Sequence, residues 1–238
     1  MIQSSALNDL QSSFGRLCIG LLLIFLFSLT TTKLAAAQGN SDTSQSKLSG
    51  KGGWIVTDLL SACKKDCAVT MLTGQSVTQT PMTDIFLHGE SPANWQWDNS
   101  FILALAFSRP WVEYRGIFSI EPETGIAKRF GPADGAEGWV ALFFRWKYFP
   151  WNQYIRTSLA LGIGPSLSND VFLASGSLQT GNGIHVINYF SPELTLGSPS
   201  EPRWDAVVRF HHRSPIWGVL PESAGVSQFW TFGMRFRF

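Results

Sequence analysis

The C-terminal eleven residues, "QFWTFGMRFRF", carry an apolar side chain at every second position from Trp230 onward. Trp230, Phe232, Met234, Phe236 and Phe238 share one parity; Thr231, Gly233, Arg235 and Arg237 share the other. Successive side chains on a strand point to opposite faces, so the segment predicts a strand with one greasy side and one polar side. β-Rich runs set off by turn residues predict strands over 67–77, 99–109, 113–130, 136–149, 153–166, 184–197, 203–214 and 227–238. "GPADGAEG", "FPWNQ" and "GSPSEPR" read as turns between them. Pro122 lies within the long 113–130 segment, where a bend or break is expected. Eight is an even number, and it is the smallest count at which a closed barrel can be filled by its own side chains. The fold class expected is all-β: an eight-stranded antiparallel transmembrane β-barrel of the outer-membrane type.

Alternation alone also fits an ordinary core strand, and a soluble periplasmic β-sandwich is the competing fold. Composition favours the barrel. Ten Trp and eighteen Phe accompany few Lys, and past the N-terminus no apolar run is long enough for a transmembrane helix. The N-terminus itself reads as a secretory signal peptide over residues 1–37. Arg16 precedes the apolar run "LCIGLLLIFLFSL", and Ala35 and Ala37 form an A-x-A cleavage site. That run is shorter than the roughly 20 residues a spanning helix needs. Without residues 1–37, sixteen basic and sixteen acidic residues remain. A neutral chain gives no support for nucleic-acid binding, which needs a basic face.

Residues 38–66 begin Ser-, Gly- and Lys-rich and read as a flexible N-terminal leader. Within them "WIVTDLLSA" fits either a short helix or a plug-like segment ahead of the barrel domain, 67–238. In a secreted chain the "CKKDC" pair, Cys63 and Cys67, reads as a local disulfide; a zinc site lacks a second ligand pair.

The penultimate strand, "RWDAVVRFHHRS", poses the chemical question. Trp204, Ala206, Val208, Phe210, His212 and Ser214 share the apolar parity, so an imidazole and a hydroxyl face lipid side by side. Residues i and i+2 lie roughly 6.6 Å apart along a strand, a gap that two such side chains can close. Together they form the base and nucleophile of acyl transfer. On a lipid-facing wall the ester within reach is a lipid ester. The bland alternative is a polar decoration of the barrel rim.

The stretch Arg209 to Phe238 resembles the C-terminal part of the outer-membrane lipid A 3-O-deacylases, a family also labelled acyloxyacyl hydrolase-related. "HRS", His212 to Ser214, matches that family's His-x-Ser motif one strand before a C-terminal aromatic strand. "GIAKRFG", "FSPELTLG" and "GVSQFWTFGMRFRF" extend the likeness over much of 110–238. The resemblance implies an eight-stranded barrel with its site on the exterior wall, Ser214 as nucleophile and His212 as general base, then acid. No metal or organic cofactor is needed for that chemistry. It also implies lipid A, the anchor of lipopolysaccharide, as substrate and the outer membrane of a Gram-negative bacterium as location. Two positions depart from the family. Gln228 stands where founding members carry the glutamate that orients the histidine; Glu222 in the preceding loop is a second candidate for that role. Pro215, which has no N–H, follows the serine where the family has Asn or Gly, so an oxyanion donor would come from the loop around Gly218.

The opposite parity of the same strand carries Arg209, His211 and Arg213, expected to form an ion network in the lumen. Glu121, Glu137 and Glu193 are expected to partner arginines there or in loops. His211 and His212 point to opposite faces and cannot share a zinc ion. The function expected is an outer-membrane serine esterase that removes an ester-linked acyl chain from lipid A. The alternative is a non-catalytic structural or adhesive outer-membrane barrel.

Overall fold

A computed structural model describes residues 47–49, 52–78, 80, 82–169, 171–172, 178–179, 185–214 and 226–238. Two short strands, β1 (Lys47–Ser49) and β2 (Trp54–Thr57), precede the barrel. The wall is formed by β3 (Ala68–Thr78), β4 (Gln96–Ser108), β6 (Phe118–Phe130), β7 (Gly135–Trp146), β8 (Arg156–Ser168), β11 (His185–Gly197), β12 (Trp204–Ser214) and β13 (Ser227–Arg237). Each pairs antiparallel with the next, and β13 returns to β3, with Phe229 opposite Ser76 and Arg237 opposite Ala68. The eight-stranded antiparallel transmembrane β-barrel expected from the alternation is the fold. A two-stranded ribbon, β9 (Val171–Phe172) with β10 (Leu178–Gln179), lies between β8 and β11. The signal-peptide reading of residues 1–37 and the first part of the leader fall outside the described residues.

Two local expectations are corrected. "WIVT" is neither helix nor plug: it forms β2, pairing with β5 (Val112–Tyr114), with Trp54 opposite Tyr114. One aromatic and three β-branched residues in four explain the preference for an extended chain. The 113–130 segment does break, but before Pro122. Arg115 and Gly116 both adopt positive φ, 48° and 71°, and turn the chain between β5 and β6. Pro122 continues within β6, opposite Leu142.

At the barrel end where β3 starts and β13 stops, a clamp ties down the preceding chain. Cys63 and Cys67 form the disulfide, with 5.5 Å between their Cα atoms. The buried Arg109 guanidinium donates to the carbonyls of Leu59 (3.1 Å), Ser61 (2.6 Å) and Ala62 (3.3 Å) and pairs with Asp66 at 3.0 Å. Burial works against the Asp66 charge. The Lys64 N–H and the Arg109 guanidinium outweigh it and hold that carboxyl below its ordinary range.

The two faces of the wall divide as the alternation requires. Outward residues such as Leu103, Leu105, Ile126, Val140 and Phe232 are exposed. Inward, the lumen is filled. Arg209 forks onto Glu123 (2.8 Å to each oxygen) and reaches Glu193 at 2.7 Å. Arg145 joins Glu121 (2.9 Å) to Glu193 (2.7 Å), and Arg235 also reaches Glu121 at 2.8 Å. Nearer the other end Arg213 and His211 share Glu137. These carboxylates are the partners expected for the arginines, with Glu123 in addition. Aromatic side chains pack among them: Trp139 and Phe143 occupy space that Gly125 and Gly162 leave free. A Cβ at either glycine would lie 2.1 or 2.4 Å from the facing ring.

Candidate functional site

β12 has the phase read from its sequence. Asp205, Val207, Arg209, His211 and Arg213 point inward and are buried, and Arg209, His211 and Arg213 join the ion network. His212 and Ser214 therefore lie on the outer wall, at the end of the barrel away from the Arg109 clamp. The ladder brings Gln228 to them, because His212 and Gln228 are directly opposed residues of β12 and β13. The alternative orienter Glu222, together with Pro215 and Gly218, lies outside the described residues.

The surroundings of this pair differ from the rest of the wall. Outward-facing Ile126 and Val140 are 67% and 58% exposed, whereas Phe210 is 0% and His212 only 6% exposed. The cover comes from the chain between β3 and β4. Beyond Thr80, helix α1 (Met82–Phe86) sets the Phe86 ring edge-on against Phe210 at 5.1 Å and 6.0 Å from Trp230. Trp95 stacks on Trp230 at 5.2 Å with 9° between the planes. The covering segment is tied to itself and to the wall. Trp95 and Trp97 indoles donate to the carbonyls of Glu90 (3.0 Å) and Pro92 (3.3 Å). The Gln96 N–H reaches the Thr80 hydroxyl at 3.2 Å. Gln228 supplies the link to the wall: its Nε2 donates to the Thr80 carbonyl at 2.6 Å.

These bonds define the state of the imidazole. The Gln228 side chain also makes a polar contact with the His212 ring. With its NH2 group given to Thr80, the end left for the ring is the carbonyl oxygen, which accepts an N–H. Among the described residues Nδ1 of His212 is buried without a partner, which leaves Nε2 for the contact. An Nε2–H directed at that carbonyl leaves a free lone pair on Nδ1. Among the described residues the Ser214 hydroxyl makes no hydrogen bond, and none joins it to His212. Such bonds commonly form only when substrate docks. A second such group lies under the cover: the buried indole N–H of Trp230 has no acceptor among the described residues. An unpaired buried polar group costs about 1–3 kcal/mol, so both are groups that a bound polar partner would stabilise.

Sequence reasoning singled out His212, Ser214 and Gln228, which the structure places at one end of the wall, but not Thr80, Phe86 or Trp95 over Trp230. The clustering of Trp95 and Trp97 with Phe86 and Leu87 in a loop was the available signal.

No protein-family model matches the chain, and no curated protein sequence does. Among solved structures it is similar to the outer membrane enzyme PagL, at 13% identity and a TM-score of 0.46, over 70% of this chain and 97% of that one. Neisserial surface protein A is similar at 9% identity and 0.43, over 75% and 100%. The outer membrane protein OprG from Pseudomonas aeruginosa is similar at 10% identity and 0.34, over 73% and 95%. At these identities residue roles do not transfer to this chain.

Proposed function

We propose that the protein is an outer-membrane serine esterase that removes an ester-linked acyl chain from lipid A, acting from its lipid-facing wall. The observation that carries the proposal is the shared outward parity of His212 and Ser214 at one end of a transmembrane barrel, with an unpartnered Nδ1 on the histidine. With the N- and C-terminal ends of the barrel and the Arg109 clamp on the periplasmic side, this end meets the outer leaflet, where lipid A resides.

Ser214 Oγ attacks the ester carbonyl while its proton passes to His212 Nδ1. The tetrahedral intermediate collapses, and His212 returns the proton to the departing sugar hydroxyl. Water then attacks the acyl-serine, again with His212 as base, releasing the fatty acid and restoring the serine. Gln228 holds the tautomer that leaves Nδ1 free. Unlike a carboxylate it adds no charge stabilisation to the imidazolium, so a modest rate is expected. Nucleophile, base and acid in this cycle are side chains, the second nucleophile is water, and the oxyanion donor is assigned to the loop around Gly218. The resemblance of Arg209–Phe238 to the lipid A 3-O-deacylases supports the same assignment.

The test is the mass of lipid A from Gram-negative cells with and without the expressed protein. Loss of one acyl unit, abolished by Ser214→Ala and by His212→Ala, is the expected result. An unchanged mass with a folded barrel in the outer membrane would instead favour the non-catalytic barrel, a reading to which the near-complete burial of His212 lends some weight.

A further inference from the structure

The wall beside the pair is covered. Thr80, helix α1 and the chain to Trp95 lie over β12 and β13, with Phe86 packed on Phe210, whose ring stacks on His212 at 5.8 Å. We propose that this segment is a lid, latched by the Gln228 amide at the Thr80 carbonyl and opened when its apolar outer side enters the outer-leaflet lipid. The inference rests on the esterase reading for its purpose, but not for its mechanics.

Three features make the segment a lid rather than fixed wall. Between Thr80 and Trp95 its side-chain and cross-segment ties to the wall, among the described residues, are three hydrogen bonds (Gln228 and the Gln96 N–H to Thr80, the Trp97 indole to Pro92) and the ring contacts of Phe86 and Trp95 with Phe210, Trp230 and Trp97. With the cover in place the Nδ1 of His212 and the indole N–H of Trp230 are buried without partners among the described residues, which opening would relieve. Its outer side is greasy, with Leu87 75% exposed beside half-exposed Phe86. Such residues at the level of the lipid headgroups gain by insertion.

The latch also gives a physical reason for glutamine at 228. A carboxylate could accept from the imidazole but could not donate to Thr80. An amide does both, so the same side chain orients the base and holds the cover.

Spin labels at Leu87→Cys on the lid and Phe232→Cys on the wall report the distance between them; Cys63 and Cys67 are taken up in their disulfide. In detergent micelles the intact barrel should give one short distance. Vesicles containing lipopolysaccharide should add a longer one. Gln228→Glu should enlarge the open population about fivefold in micelles alone, as loss of one hydrogen bond implies. Phe86→Ala, which leaves the polar groups untouched, should do likewise. A distance unmoved by lipid, or the same in both variants as in the parent, overturns the lid. These distances do not depend on hydrolysis. Labels that move while lipid A mass stays constant sustain the lid and refute the esterase; acyl release with labels that do not move does the reverse.

Discussion

Gln228 stands directly across the β12–β13 ladder from His212, with its amide 2.6 Å from the Thr80 carbonyl. One side chain thus joins the proposed base to the segment that covers it. Its two ends can be separated by substitution. Gln228→Glu keeps an acceptor for the imidazole, adds a negative charge behind it and removes the donor to Thr80. Turnover of lipid A should rise on the order of tenfold, since a carboxylate stabilises the imidazolium formed during attack. Gln228→Leu removes both ends and should lower it. Rates on purified lipopolysaccharide, with barrel content matched by gel mobility, check both.

Loss of the base itself is more severe. His212→Ala should reduce the rate by about 10²–10⁴-fold, the range general-base catalysis contributes, without unfolding the barrel. Unfolding midpoints in urea and steady-state rates on the same preparation separate the two effects.

The lumenal network gives a prediction about stability alone. Glu193 accepts from Arg145 at 2.7 Å and from Arg209 at 2.7 Å, all three buried. Glu193→Leu takes one of two carboxylate partners from each of two buried guanidinium groups, leaves the lumen with an uncompensated positive charge and should cost about 3–5 kcal/mol. The reciprocal case is steric: Gly125→Ala places a methyl group against the Trp139 ring and should cost about 1–3 kcal/mol by overpacking. Urea unfolding from micelles measures each, and neither should alter the outer wall.

The contrast between these two regions explains what the sequence could reveal. Every barrel strand must present one face to lipid and one to the lumen, so parity alone placed Phe210, His212 and Ser214 outside and Arg209, His211 and Arg213 inside. The cover over His212 obeys no such rule. It depends on Phe86 meeting Phe210 and on Trp95 meeting Trp230, contacts between segments far apart in the chain, and a short helix has no periodicity to betray it. The break in the 113–130 segment was misplaced for a related reason: Pro122 is a visible marker, whereas the positive φ of Arg115 is not written in its side chain.

Asp66 gives a pH dependence at the clamp. Its folded carboxyl is held below the ordinary value of 3.8, because the Lys64 N–H and Arg109 outweigh the cost of burial. A depressed carboxyl contributes stability that is complete above the unfolded value and is lost as the pH falls through the folded one. Hydrogen exchange at residues 59–62 should therefore be faster in Asp66→Asn than in the parent at about pH 6. The two should converge as the pH is lowered below the folded value.

The most direct measurement of the central claim is covalent capture of Ser214. The barrel in lipopolysaccharide-containing vesicles is treated with a fluorophosphonate, which reacts only with a serine whose oxygen is activated by a base, and the tryptic peptides are weighed. The account predicts one adduct on Ser214, lost in His212→Ala. An unmodified Ser214 in a barrel whose lid is open, or labelling that persists without His212, contradicts it.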